Sequence, residues 1–296
     1  MTENELKARR SDVDELPNII VPGYARSGTT WLYNMFKMHP DVFVPNRKEM
    51  NYFGKNDHRG ISWYKDYYRN NDGKDACDIS PGYVHRDGVA EDIKRTIPDA
   101  KIILMLRNPV HRATSALFRT RSDEGVVGDI NELIRRQLSA DPTYFNNSLY
   151  SETVKKYISL FGQDNVHFAI YEDLTDEPYY YTRSILDFLN IESEYFLSEK
   201  KKALQEKVNP TRRPTIPKFH DKLQTLNQRL RFLGNEHIDK TVNLFKPLYF
   251  MMFMSQKEKN IVDEKHFRKL KEIYWEDVEE LGTILNRDLV QLWLSR

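Results

Sequence analysis

The chain has 296 residues, room for one large α/β domain or two small ones, and its 40% hydrophobic and 30% charged residues exclude a disordered chain. Lys and Arg number 45 against 44 Asp and Glu, a formal charge of +1, so no nucleic-acid partner is expected. Cys77 is the single cysteine, which leaves no intramolecular disulfide and no cysteine-rich metal site.

Residues 1–16 read as a flexible leader, polar and mixed in charge, without the apolar core of a signal segment. No segment is apolar for long enough to span a bilayer, so the expected location is cytoplasmic. Residues 17–296 are expected to form one domain, with helical, acceptor-side elements around 45–75 and 215–260.

The informative stretch begins with the apolar run Ile19-Ile20-Val21, then Pro22-Gly23 and Tyr24-Ala25-Arg26-Ser27-Gly28-Thr29-Thr30. Trp31, Leu32, Met35, Phe36 and Met38 follow at helical spacing, up to the stop at His39-Pro40. The order is strand, glycine-bounded loop, helix N-terminus. Such a loop aims unpaired backbone N–H groups and the positive end of a helix dipole at one point, which suits a phosphate. Gly23 and Gly28 are spaced as in G-x-x-x-x-G-K-[ST], but Thr29 takes the Lys position and Arg26 is the loop's only cation. That substitution is wrong for a nucleotide triphosphatase. An ordinary strand–helix turn would have the same outline.

Further along, Val42-Phe43-Val44 and Asp75–Ile79 are short strand candidates, and Val89, Ala90, Ile93 and Ile97 share one helix face. Trp63, Tyr64, Tyr67 and Tyr68 are dense enough to line a cleft, although helix packing is the commoner use. Lys101–Leu106 is continuous and apolar, as buried parallel strands are, and Arg107 stands at its carboxyl end. Asn108-Pro109 is an N-cap and first-turn pair opening a helix to about Arg121. Helices are predicted at 129–139, 148–161 and 178–189, with a strand at Val166–Tyr171. After Glu199 the strand signal fades: 209–214 reads as loop, 219–231 as helix, and 244–254 as a strongly apolar run, either core or a greasy acceptor wall. Ser255 and Glu258 have the spacing of a capping box ahead of a long closing helix. Alternating strands and helices predict an α/β fold, a mostly parallel central sheet with helices on both faces.

In such sheets ligands sit beyond the carboxyl ends of the strands. Two strands deliver anion-binding equipment there: the loop 23–30, and Arg107 with Ser115 eight residues later. Two separate phosphate positions suggest a nucleotide phosphorylated at both ends. The loop Tyr24–Leu32 resembles the 5′-phosphosulfate loop of the sulfotransferases, which use 3′-phosphoadenosine 5′-phosphosulfate (PAPS). Leu106-Arg107-Asn108-Pro109, with Arg112 and Ser115, is similar to their 3′-phosphate site. Lys48–Phe53, Gly60–Tyr64, Ile170–Leu174 and the ending Leu281–Trp293 resemble other landmarks, closest to the heparan-sulfate-type branch. The resemblance spans roughly residues 18–215 plus the final helix.

The resemblance implies a P-loop NTPase-like fold and sulfuryl transfer without a metal, to a hydroxyl or amine of a sugar, glycolipid or small-molecule acceptor. Ser27, Gly28, Thr29, Thr30 and Trp31 would hold the 5′-phosphosulfate together with Arg26, which would also stabilise charge on the leaving oxygens. Arg107 and Ser115 would hold the 3′-phosphate, Tyr171 would lie near adenine, and Glu49 would be the base. Arg212 and Arg213 stand where relatives place further 3′-phosphate contacts. The sequence departs from that branch at Ile79, where an acceptor-side Lys is common. Taken singly, Glu49 reads as a solvated charge, Arg107 as an ion-pair partner and Ser115 as a plain helix residue. The rivals are a P-loop kinase and a non-catalytic nucleotide-binding protein.

Overall fold

The computed structural model describes residues 15–123, 129–205, 212–214, 254–256 and 262–295. The chain opens with β1 (Ile19–Gly23), α1 (Thr29–Met38), β2 (Val42–Phe43), α2 (Ile61–Lys65) and β3 (Asp75–Ile79). It continues through α3 (Val89–Thr96), β4 (Lys101–Leu106), α4 (Pro109–Asp123), α5 (Ile130–Ala140), α6 (Ser151–Phe161) and β5 (Val166–Ile170). Then come α7 (Tyr171–Asp176), α8 (Pro178–Leu189), α9 (Glu194–Gln205), β6 (Arg212–Pro214), β7 (Met254–Gln256), α10 (Glu264–Leu285) and α11 (Leu289–Leu294).

Strands β1 to β5 form one parallel sheet in the order β2-β3-β1-β4-β5. Side chains alternate across its two faces, as the period of a strand requires. Ile20, Ile102, Leu104 and Leu106 enter one core with α3, α4, α5, α6, α10 and α11. Ile19, Val21, Ile103 and Met105 enter a second core with α1, α8 and α9. Both faces are therefore dry, which is why the strands read as continuous apolar runs rather than as alternating ones.

From β1 the chain crosses towards β2, whereas the strand after β3 is β4, on the other side of β1. The connections part at β1, and the crevice at such a switch point lies beyond its carboxyl end. The loop after β1 and Arg107 after β4 sit side by side there, because β1 and β4 are direct neighbours.

Three expectations are corrected. Residues 212–214, read as loop, are β6, paired antiparallel with β7 (Arg212 opposite Gln256, Arg213 opposite Ser255). The partner strand lies far along the chain, so no local pattern announces the pairing. Ser255 accordingly sits in β7 rather than capping a helix; α10 starts at Glu264, where the Asp263 side chain accepts the His266 N–H. Helix α9 occupies 194–205, where no element was expected; its Phe196 and Leu197 reach the second core. The predicted helix 219–231 and the apolar run 244–253 lie outside the described residues.

Candidate active site

The loop after β1 is built around close approach. A Cβ on Gly23 would lie 2.5 Å from Val84 Cγ2, so only glycine fits against that neighbour. Tyr24 is buried, donates its N–H to Met105 O (2.9 Å), and packs edge-on against Tyr150 (4.7 Å between ring centres). The Arg112 guanidinium lies over the Tyr24 ring at 5.2 Å. Arg26 and Gly28 both have left-handed backbones, φ +73° and +96°. At Gly28 an added Cβ would also meet Tyr171 at 3.2 Å and Met105 at 3.3 Å. The turn thus reaches α1 only with glycine there. Ser27 and Thr29 are buried, and no side chain caps the α1 N-terminus.

The two expected anion positions are physically joined. Arg26 Nε donates to Ser115 Oγ at 2.9 Å, and Arg107 Nη1 donates to the Arg26 carbonyl at 2.9 Å. The Arg107 guanidinium lies 4.5 Å over the Tyr171 ring, which brings Tyr171 beside both the loop and Arg107. Ser27 Oγ and Arg107 Nε are buried without a hydrogen-bond partner. Unpaired donors in the loop and at the adjoining strand end, a left-handed turn and several cations make a donor set that fits a doubly anionic nucleotide.

Two expected residues are used differently. Arg112 is buried and spends its guanidinium on Ser148 Oγ (3.0 Å), Ala25 O (3.4 Å) and Asn147 O, so it clamps the loop from behind. The Trp31 ring is buried in the second core, edge-on to Tyr181 at 5.6 Å, which leaves its backbone as what it offers an anion. Thr30 is half-buried on the first turn of α1. Arg212 and Arg213 belong to β6, and their side chains lie outside the described residues.

Glu49 sits on a strained turn pinned to the end of β3. Its φ is +64° and that of Asn51 is +49°. Glu49 N–H donates to Ile79 O (3.2 Å), Asn51 N–H to Ser80 Oγ (3.0 Å), and Asn51 Nδ2 to Glu49 O (2.9 Å). Beneath the turn lies Asp78, almost fully buried, accepting from Ser80 Oγ (2.6 Å), Tyr64 OH (2.7 Å) and Tyr83 OH (2.8 Å). Burial raises the Asp78 carboxyl above its usual range, and the three hydroxyls and Lys48 oppose that shift. Of the dense aromatics, Tyr64 and Tyr68 are fully buried, which settles those two as packing, while Trp63 and Tyr67 are half-buried. Lys48 Nζ lies 2.7 Å from Glu49 Oε1 and 3.5 Å from Thr29 Oγ1.

The family description "Sulfotransferase domain" matches residues 16–218 of this chain. This chain belongs to the sulfotransferase family. Over 184 residues it is 29% identical to heparan sulfate glucosamine 3-O-sulfotransferase 3A1 of Mus musculus, covering 60% of this chain and 46% of that protein. Bifunctional heparan sulfate N-deacetylase/N-sulfotransferase 4 of Mus musculus is 27% identical over 214 residues, 66% of this chain and 24% of that one. This sulfotransferase therefore spans about half or less of the curated relatives it matches. The crystal structure of a sulfotransferase from Alicyclobacillus acidocaldarius superposes with a TM-score of 0.63 at 20% identity, over 94% of this chain and 98% of that one. That likeness concerns the fold.

Sequence reasoning left Asp78 and Lys48 of this sulfotransferase without a role. An acid between Cys77 and Ile79 within the strand, with Ser80 and Tyr83 close behind, is the one signal that marks Asp78. For Lys48 there was none, since a lysine beside a glutamate on a loop is an ordinary surface pair.

Proposed function

We propose that this sulfotransferase takes its sulfuryl group from PAPS and delivers it to a hydroxyl, or an amine, of a sugar, glycolipid or small-molecule acceptor. The observation that carries the reading is the joined pair of anion positions, Arg26 to Ser115 and Arg107 to the Arg26 carbonyl. A kinase has no use for a second site of this kind at its phosphate loop, and the Lys it needs after Gly28 is Thr29.

The donor supplies a sulfuryl group on a good leaving phosphate. The loop amides and the Thr29 and Thr30 hydroxyls bind the 5′ end, and Arg26 stabilises the charge that collects on the departing oxygen. Arg107 and Ser115 bind the 3′-phosphate, with a planar fork on Arg107 suited to phosphate oxygens. Glu49, half-exposed at the crevice, accepts the acceptor's proton. The acceptor's chemical class is drawn from the heparan sulfate enzymes among the relatives. Ile79, in place of the common Lys, argues against an acceptor as anionic as heparan sulfate.

Transfer by this route uses protein cations alone, so activity is expected to survive a chelator. Among the described residues no helix is long and apolar enough to cross a membrane. A cytoplasmic location belongs to this proposal and is checked by fractionation of the native host.

The deciding test is calorimetric titration with 3′-phosphoadenosine 5′-phosphate (PAP), with 5′-AMP and ATP–magnesium as controls. Binding of PAP well above both controls is expected. A preference for ATP–magnesium would install the kinase reading instead. PAP binding with no transfer across a broad acceptor panel would favour a non-catalytic binding protein.

A further inference from the structure

Around the phosphate loop the cations are unevenly placed. Arg26 faces Ser115, Arg107 holds the Arg26 carbonyl, and Arg112 is locked behind the loop. Arg107 and Arg112 lie towards the 3′ position or beneath the turn, and Arg26, which serves the departing 5′ oxygen, is held on the Ser115 side. Lys48 is on the other side, between the loop and the base. Its ammonium touches Thr29, the first residue of α1, and Glu49 at the same time, and its side chain is only 17% exposed against 50% for Glu49.

A flexible four-carbon stem with three donors can serve two acceptors at once, which a planar guanidinium does less readily. Partial burial makes the charge count for more than it would on the surface. In sulfuryl transfer, the sulfonate oxygens stay anionic throughout and lie between the leaving phosphate and the incoming acceptor. With the donor's 5′ end at Thr29 and the acceptor at Glu49, as the PAPS reading has them, a cation bridging these two residues stands at that midpoint.

We propose that Lys48 is a catalytic residue, binding the sulfonate oxygens of the donor and holding the sulfur in line between the 5′-phosphate and the acceptor. This rests on the PAPS reading above. The bond from the acceptor oxygen or nitrogen to sulfur forms, and the bond from sulfur to the bridging 5′-oxygen breaks. The electron pair of the broken bond leaves on the phosphate of PAP, and the acceptor's proton passes to Glu49. Lys48 keeps its own proton. In the resting site Glu49 is its anionic partner, and donor binding adds a second anion at Thr29, so the ammonium is shared at the moment the base is needed. The ion pair is then a preset position for the charge, beyond what a surface pair would contribute to stability.

The test compares PAPS and PAP, which differ by the sulfonate alone. Wild-type protein, Lys48→Met and Lys48→Arg are titrated with each nucleotide by calorimetry without acceptor, with thermal melts as folding controls. Lys48→Met should weaken PAPS by ~10- to 100-fold, the worth of a charge-assisted hydrogen bond, and PAP by under ~3-fold. Lys48→Arg should recover part of the lost PAPS affinity. A lysine that only orients Glu49 would leave the PAPS-to-PAP ratio unchanged, and that result overturns the proposal. Equal weakening of both nucleotides overturns it too, placing Lys48 on the 5′-phosphate alone. If wild-type protein itself fails to bind PAP, the PAPS reading falls first, and the two failures are told apart.

Discussion

The proposed function gives individual side chains in this site separable tasks, each at a different part of the donor or acceptor. Under it Arg107 and Ser115 serve the 3′ end; Arg26 touches Ser115 and, through its carbonyl, Arg107, and Glu49 stands apart on the β3 side. Role-specific losses follow. Arg107→Ala should weaken PAP by at least ~10-fold while leaving 5′-AMP nearly unchanged, as expected for losing a charge-assisted contact to the 3′-phosphate. Arg26→Ala should lower transfer by ~100-fold or more with a much smaller effect on PAP affinity, the signature of a group needed mainly in the transition state. Glu49→Gln should behave like Arg26→Ala in transfer and leave PAP affinity intact. Paired kinetics and calorimetry on the three variants check the split. Equal losses in transfer and binding for Arg26→Ala would reduce it to an anchor.

At the scale of elements, β5 is an edge strand that carries a histidine against a helix. His167 stacks on Phe188 of α8 with ring centres 5.1 Å apart. Burial pushes its imidazole down to about 4 from the ordinary 6.5. The sign follows from linkage. A group that is neutral when folded and protonates more readily when unfolded contributes its stability above pH 6.5, and that contribution is lost as pH falls from about 6.5 towards 4. The full shift corresponds to at most ~3 kcal/mol, and residual solvent contact reduces it. Urea unfolding at pH 7 and pH 4.5 should therefore show a larger drop for wild type than for His167→Phe, by ~1–2 kcal/mol. Identical pH dependence in the two proteins would remove His167 from the account. The closing elements make the complementary point about legibility. Continuous apolar runs revealed β1 and β4, and helical spacing revealed α8, almost to the residue, since local burial dictates their patterns. Strand β6 was missed because its partner β7 is distant in sequence, and α9 because its amphipathic signal is weak.

The whole molecule brings its last helix back to the switch point. Trp293 in α11 is buried and donates Nε1–H to Glu172 Oε2 at 2.9 Å. Asn108 completes the latch, with Nδ2 donating to Trp293 O (2.5 Å) and its backbone N–H to Glu172 Oε1 (3.2 Å). Asn108 follows Arg107 directly, and Glu172 follows Tyr171, so the latch sets the positions of both. Burial pushes the Glu172 carboxyl up, which these two donors oppose. Trp293→Ala should cost ~3–5 kcal/mol of stability, as other large-to-small core changes do, and should weaken PAP although the hydrogen bonds of Trp293 go to Glu172 and Asn108 rather than to the loop. Unchanged PAP affinity in a folded Trp293→Ala protein would show that the latch serves stability alone.

Local patterns along the chain are enough for the parallel sheet, the loop Gly23–Thr30, Arg107 with its capped helix, and the family those motifs resemble. Each is local: a periodicity, a glycine spacing or a cap is written within a dozen residues. Long-range packing makes β1 and β4 neighbours, brings Arg26 to Ser115 and turns Arg112 away. It also seated Glu49 on the buried Asp78 cluster beside Lys48. Those contacts join residues from separate strands, and their geometry is set by how the two cores pack the sheet rather than by any pattern along the chain.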